Sequence, residues 1–219
     1  MHRLHYRFGV VLTLIVVTLA FQLAAPDGNV ARLISVTLQA GTLVAAVIAS
    51  KAHPWVIRLS VLVAVAGVAG ALATLLGTSE FSRGGAGAVA LVYILLTPPA
   101  LVLGLRKHFG EEGGVTMQTM FGVLCLYLLV GLLFSFVYGA VDFYSEQPFF
   151  STGVDERDDF LYFSFSTLTT VGYGDLVAAT ELGRSLAITE ALVGQIYLVT
   201  VVAVIVGNLR QPRRRRASG

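Results

Sequence analysis

Thr169-Thr170-Val171-Gly172-Tyr173-Gly174-Asp175 lies between two apolar runs, and its reading decides the architecture. Two glycines at alternate positions flank an aromatic residue, with a threonine pair before them and a carboxylate after. An extended chain points successive carbonyls to opposite sides. Lining one side with them requires residues that alternate between negative and positive φ, and glycine reaches positive φ at almost no steric cost. That gives Gly172 and Gly174 a mechanical role. Backbone oxygens gathered in this way, here from Thr170, Val171, Gly172 and Tyr173, replace the hydration shell of a cation. The Thr170 hydroxyl adds an oxygen at the inner end, while Val171 and Tyr173 are expected to point away and pack behind the loop. A surface turn is the plainer reading of Gly-x-Gly, and the seven-residue order between two spans argues against it.

The rest of the chain supplies an apolar frame. Of 219 residues, 56% are hydrophobic and 13% charged, and the mean hydropathy is +0.79. A soluble domain carries about 25% charge, so the composition indicates a membrane protein with no room for a large soluble domain. Runs long enough to cross a bilayer, about 17 to 25 residues, occur near Phe8–Ala25, Arg32–Ser50, Trp55–Leu76, Ala86–Leu105, Met117–Val141 and Leu182–Asn208. The breaks fall at Pro26 to Asn29, Lys51 to Pro54, Gly77 to Glu80 and Arg106 to Gly114. Thr97-Pro98-Pro99 predicts a kink in the fourth run, because proline removes a helix hydrogen bond. Ala64, Ala66, Gly67, Ala69, Gly70, Ala71 and Ala73 suit a filler helix, or close helix contact. The first run follows Arg3 and Arg7 as a signal peptide would, but Ala24-Ala25-Pro26 is a poor cleavage site. Cys125 sits inside an apolar run, as a small buried residue does.

Basic residues near span ends favour the cytoplasmic side. With the N-terminus inside, that side holds Arg3, Arg7, Lys51, Arg58, Arg106, Lys107, Arg210 and Arg213 to Arg216; the outside holds Arg32, Arg83, Arg157 and Arg184. Six spans with both termini cytoplasmic satisfy the rule, in a multi-pass protein of the cell membrane. The outer side is acidic: Asp142, Glu146, Asp155, Glu156, Asp158, Asp159, Asp175 and Glu181 flank the loop. Such carboxylates either concentrate cations by field focusing or form a merely solvated rim. The run Arg213, Arg214, Arg215 and Arg216 anchors the topology, and a basic run of this kind also attracts anionic lipid.

Asp159 to Leu168 is apolar and aromatic but too short to cross, and Asp158 and Asp159 suit a helix start. A re-entrant helix fits, with its C-terminal partial negative charge aimed at the loop. Glu190 is an acid deep in the last span, where it must find a partner in protein or water. It reads as a buried structural carboxyl, with hydroxyls such as Ser166 or Thr167 as its partners, or else as a cation site.

From Met117 to Arg210, about two-fifths of the chain, the sequence resembles the two-helix pore domain of potassium channels. The loop Thr169 to Asp175 matches that family without change, and Leu176, Gly183-Arg184 and Glu190 to Gln195 resemble its prokaryotic members. The resemblance implies an all-α fold of six transmembrane helices. A re-entrant pore helix and a selectivity-filter loop lie between the fifth and sixth, and four copies form a homotetrameric pore. It implies a four-helix domain over residues 1–110 and a pore domain over 111–219. It implies passive potassium conduction, with Thr169, Asp175, Tyr162 and Ser166 supporting the filter and Gly194 at the inner-helix hinge. Tyr162 stands where many relatives have Trp, and Ser166 where some prokaryotic ones have Glu. The first four spans resemble six-helix channels in count alone, and Ala86 to Leu105 lacks the arginines at every third position of voltage sensors.

A potassium-transporter subunit is the competing reading, although such chains usually hold four degenerate loops; a weakly selective cation channel is another. An enzyme is not expected: there is no G-x-x-x-x-G-K-[ST], no strand-to-helix G-x-G-x-x-G, and no catalytic set within the spans. His2, His5, His53 and His108 are too scattered for a metal site. No cofactor beyond the permeant potassium ion and no nucleic-acid partner is expected.

Overall fold

The computed structural model describes residues 7–24, 28–76, 92, 95–103, 106, 116–152 and 157–209. The chain is all-α: α1 (Arg7–Ala24), α2 (Asn29–Ala49), α3 (Pro54–Leu75), α4 (Met117–Tyr144), α5 (Arg157–Leu168) and α6 (Glu181–Leu209). Residues 95–103 are also helical, through Pro98 and Pro99. Among the described residues there is no strand, only an antiparallel bridge between Phe150 and Ala178. Helices α2, α3, α4 and α6 are long and apolar enough to cross a membrane, and α1 is a shorter apolar helix. Half of the expected fourth span, Ala86–Leu105, lies outside the described residues, as do Arg3, Arg83, Lys107, Asp155, Glu156 and Arg210 to Arg216.

The helix ends follow local chemistry. The α2 helix closes where Ser50 and Lys51 donate backbone N–H groups to Ala46 and Ile48, with Lys51 in the left-handed region at φ 49°. Pro54 then opens α3, since its fixed φ suits a first helical position. The result is a tight α2–α3 hairpin. Ala64 and Ala71, seven residues apart on one face, pack against Val36, Ala40, Leu43 and Val47. Part of the small-residue run is thus a contact surface. At the start of α4, the Thr116 hydroxyl accepts from the Thr119 N–H at 3.3 Å. Thr119 returns the bond to the Thr116 N–H at 3.4 Å, a reciprocal cap.

Helix α1 packs against both α2 and α4. Phe8, Val11 and Ile15 share a cluster with Ala46, Leu101, Cys125, Leu129, Leu132 and Leu161, and the Phe8 N–H donates to Gln118 Oε1 at 3.0 Å. An apolar core therefore runs across the 110/111 division suggested by the sequence. On the other side of α4, the short α5 packs between α4 and α6, and its first turn carries Asp158 and Asp159 at the positive end of the helix dipole.

Candidate functional site: the loop 169–175 and its supporting shell

The site is built from the C-terminal end of α5. Leu168 is fully buried there, and two glycines let it be. A Cβ at Gly131 in α4 would lie 2.8 Å from Phe165 Cζ and 3.1 Å from Leu168 Cδ2. A Cβ at Gly194 in α6 would lie 2.6 Å from the Leu168 carbonyl oxygen. The Tyr127 hydroxyl donates to that same carbonyl at 3.1 Å. Helix α6 is continuous through Gly194, so here the residue serves a close approach between helices.

Beyond Leu168 the chain turns back on α5. The Thr170 N–H donates to Thr167 O at 2.9 Å, and the N–H groups of Val171 and Gly172 both donate to Ser166 O, at 3.0 and 3.2 Å. The Thr169 hydroxyl donates to Phe165 O at 2.6 Å. Thr170, Gly172 and Gly174 have φ of 59°, 54° and 80°, while Val171 and Tyr173 between them do not enter the positive region. The alternation has a strict period of two over five residues. Its first member is unexpected from sequence. A β-branched residue at positive φ is an outlier, costing of order 1–3 kcal/mol and held only where the surroundings over-determine it. Here the hydrogen bonds on either side of Thr170 supply that constraint.

All seven residues 169–175 are exposed in the single chain. Val171 is 53% and Tyr173 72% exposed, so the packing expected behind them is not made within one copy. One contact exists: the rings of Tyr162 and Tyr173 stack at 6.1 Å and 11°. The Asp175 carboxylate beside Tyr162 holds the phenol above its ordinary range. The contribution of Ser166 is its backbone carbonyl.

Behind the loop lies Glu190, 0% exposed within the single chain. Tyr138 OH donates to Oε2 at 2.5 Å, and the Ser164 hydroxyl bonds Oε1 at 2.5 Å and reaches Gly131 O at 2.7 Å. These partners correct the expectation of Ser166 or Thr167. Ser166 sits about 200° round the helix from Ser164. The buried side of α5 carries Phe160, Phe163, Ser164 and Leu168, leaving Ser166 and Thr167 only half-buried. One carboxyl thus ties together α4, α5 and α6.

An aromatic cluster completes the shell: Tyr138, Phe149, Phe150, Phe160 and Phe163, with Ala178. Phe149 is held by its N–H to Asp142 Oδ1 at 2.9 Å. Its carbonyl accepts from Ala179 N–H at 2.8 Å, and Ser151 N–H donates to Val177 O at 2.9 Å. These bonds clamp the segment leaving the loop to the segment entering α5. Tyr138, Ser164, Phe149 and Phe150 were not singled out from sequence. The one signal available was Glu190 itself, an acid in a span that requires donors.

Residues 122–211 match a family model described as ion channel. The chain is 33% identical over 108 residues to the voltage-gated potassium channel regulatory subunit KCNF1 of Rattus norvegicus, covering 49% of this chain and 20% of that protein. It is 33% identical over 97 residues to potassium voltage-gated channel subfamily A member 2 of Xenopus laevis, covering 41% and 19%. It is 32% identical over 108 residues to the voltage-gated potassium channel Kch of Escherichia coli, covering 49% and 24%. The chain thus spans about a fifth to a quarter of the length of these relatives. It carries an ion-channel domain and is homologous to potassium channel subunits over that part.

Proposed function

We propose, from the ion-channel homology of residues 122–211, that this chain is one subunit of a homotetrameric, potassium-selective channel. Thr170 to Gly174 form its filter, α5 is its pore helix and α6 its inner helix. The observation that carries the reading is the alternation of positive φ at Thr170, Gly172 and Gly174. A chain strained in this pattern presents carbonyls to one side, as a ring of oxygens around a dehydrated cation requires. Exposure of Val171 and Tyr173, and of Ile188, Leu192, Ile196 and Val199 on α6, supports assembly, since neighbouring copies would cover these side chains. The N- and C-termini are cytoplasmic on the basic-residue rule, with Arg213 to Arg216 against anionic lipid on the inner leaflet of the cell membrane.

The test is the purified protein in a planar bilayer with mixed sodium and potassium. The reversal potential should lie close to the potassium equilibrium value. Equal permeability to the two ions means a weakly selective channel, and absence of unitary currents favours a transporter subunit. In the same assay Gly172→Ala, which places a Cβ at φ 54°, should abolish selectivity or conduction.

A further inference from the structure

Between α1, α2 and α4, a cavity of about 20 Å³ is lined by Ile15, Thr18, Gln39, Thr42, Thr97, Leu129 and Leu132. Its walls come from α1, α2, the helical residues 95–103 and α4. Gln39 is 5% exposed, and both Oε1 and Nε2 of its amide are buried with no hydrogen-bond partner among the described residues. It lies at the middle of α2, a helix long and apolar enough to span a bilayer, where no lipid atom can satisfy it. Buried polar side chains in native proteins are paired with protein or ordered water almost without exception.

The surroundings fit a specific partner. The Thr18 hydroxyl donates to Leu14 O at 2.7 Å, and the Thr42 hydroxyl donates to Leu38 O at 2.9 Å. Each has spent its one hydrogen on its own helix and keeps lone pairs for another donor. A buried water needs about 10–15 Å³ of such space and two to four polar partners. The cavity offers room for one water, the amide as donor and acceptor, and two hydroxyl oxygens as acceptors. We propose that this is a built site for a single ordered water, which bridges Gln39 of α2 to Thr18 of α1 and so fastens these two helices to each other. A larger polar ligand does not fit the volume, and an ion would find no charged group among the lining residues.

The experiment is radiolytic hydroxyl labelling of the full chain in lipid nanodiscs, after brief exposure to oxygen-18 water. Activation of a bound water labels the side chains beside it, so Leu129 and Leu132 should become oxidised. Their label should carry the old isotope after bulk water has exchanged. Gln39→Met, unbranched and apolar, should lose that labelling, and Thr42→Val should weaken it if Gln39→Met fails to fold. Absence of labelling in the wild-type protein would mean a dry cavity and overturn the proposal. So would a label that follows the bulk isotope at once, which indicates an open crevice, or labelling unchanged in Gln39→Met.

Discussion

Glu190 and Gln39 are both polar side chains buried inside apolar helices, and they are treated in opposite ways. Glu190 has its two carboxyl oxygens bonded to Tyr138 and Ser164; Gln39 has neither amide atom bonded among the described residues. The carboxyl stands where three helices converge on the loop 169–175, and the amide stands among helices joined mainly by apolar contacts and the Phe8–Gln118 hydrogen bond. Between helices in a bilayer there is little hydrophobic drive, so association depends on close packing and hydrogen bonds. The side that carries the loop uses both devices: Gly131 and Gly194 bring backbones together around Leu168, and Glu190 joins the three helices through Tyr138 and Ser164. The N-terminal side relies on small-residue packing at Ala64 and Ala71, and leaves the Gln39 amide to water. Positional accuracy is demanded by the loop, and that is where the polar groups are paired within the protein.

The sharpest test of this contrast is removal of the carboxyl. Glu190→Ala leaves the Tyr138 and Ser164 hydroxyls facing a void, and should destabilise the assembled protein by about 3–5 kcal/mol, combining cavity and unpaired-donor costs. Glu190→Gln keeps an acceptor for Tyr138 and a donor for Ser164, and should cost about 1 kcal/mol with unitary conductance nearly unchanged. Thermal dissociation of the oligomer on gels reads both. If Ala proves as mild as Gln, the carboxyl does not hold the three helices together; a large conductance loss in Gln with normal assembly would make it a cation site instead.

A smaller effect separates the two regions by backbone contact. Gly194→Ala drives a Cβ to 2.6 Å from the Leu168 carbonyl, whereas a Cβ at Gly41 in α2 meets nothing within 4 Å. The first should cost about 1–3 kcal/mol as overpacking. The second should be neutral or stabilising by roughly 0.5–1 kcal/mol, since alanine replaces a helix-interior glycine. Equal responses in a thermal melt would erase the distinction.

Much of this was legible beforehand, for reasons the residues make plain. Helices α1 to α3, α4 and α6 begin and end within a few residues of the apolar runs, because length and hydropathy alone define a span. The short α5, expected from Asp159 and observed from Arg157, was visible because an apolar stretch too short to cross is distinctive. Positive φ at Gly172 and Gly174 follows from glycine's freedom. The same conformation at Thr170 could not be read, because a β-branched residue argues against it until the bonds to Thr167 and Ser166 are seen. Burial of Glu190 was legible from its place in a span, but its partners were not. Choosing Ser164 over Ser166 needs the rotation of α5 about its own axis, which is set by Gly131, Gly194 and the Phe149–Phe150 clamp together. Gln39 carried no signal, since one amide in a polar-spotted helix is ordinary until its neighbours are known.

The smallest expected effect concerns voltage. The relatives named above are two voltage-gated potassium channels and a regulatory subunit of such a channel, but the family match covers 122–211 and leaves the N-terminal helices out. Moving one charge through 100 mV is worth about 2.3 kcal/mol, and steep sensors move about three or four charges per subunit. Among the described residues from Phe8 to Leu103, the charged side chains are Arg32, Lys51 and Arg58. Arg32 lies in the first turn of α2 beside Asn29, at 3.4 Å; Lys51 is in the turn between helices, and Arg58 is near the start of α3. Each stands at a helix end, outside most of the field. Glu190 is deep in its span but fastened to Tyr138 and Ser164, so it cannot travel. Among its described residues this region has no charge deep in a helix for the field to pull on. Open probability measured from about −120 to +120 mV should therefore change by less than about tenfold. A steep exponential rise over a few millivolts would require several moving charges per subunit. It would place a sensor in the N-terminal helices, and the two halves of the molecule would then differ in kind rather than in how they are packed.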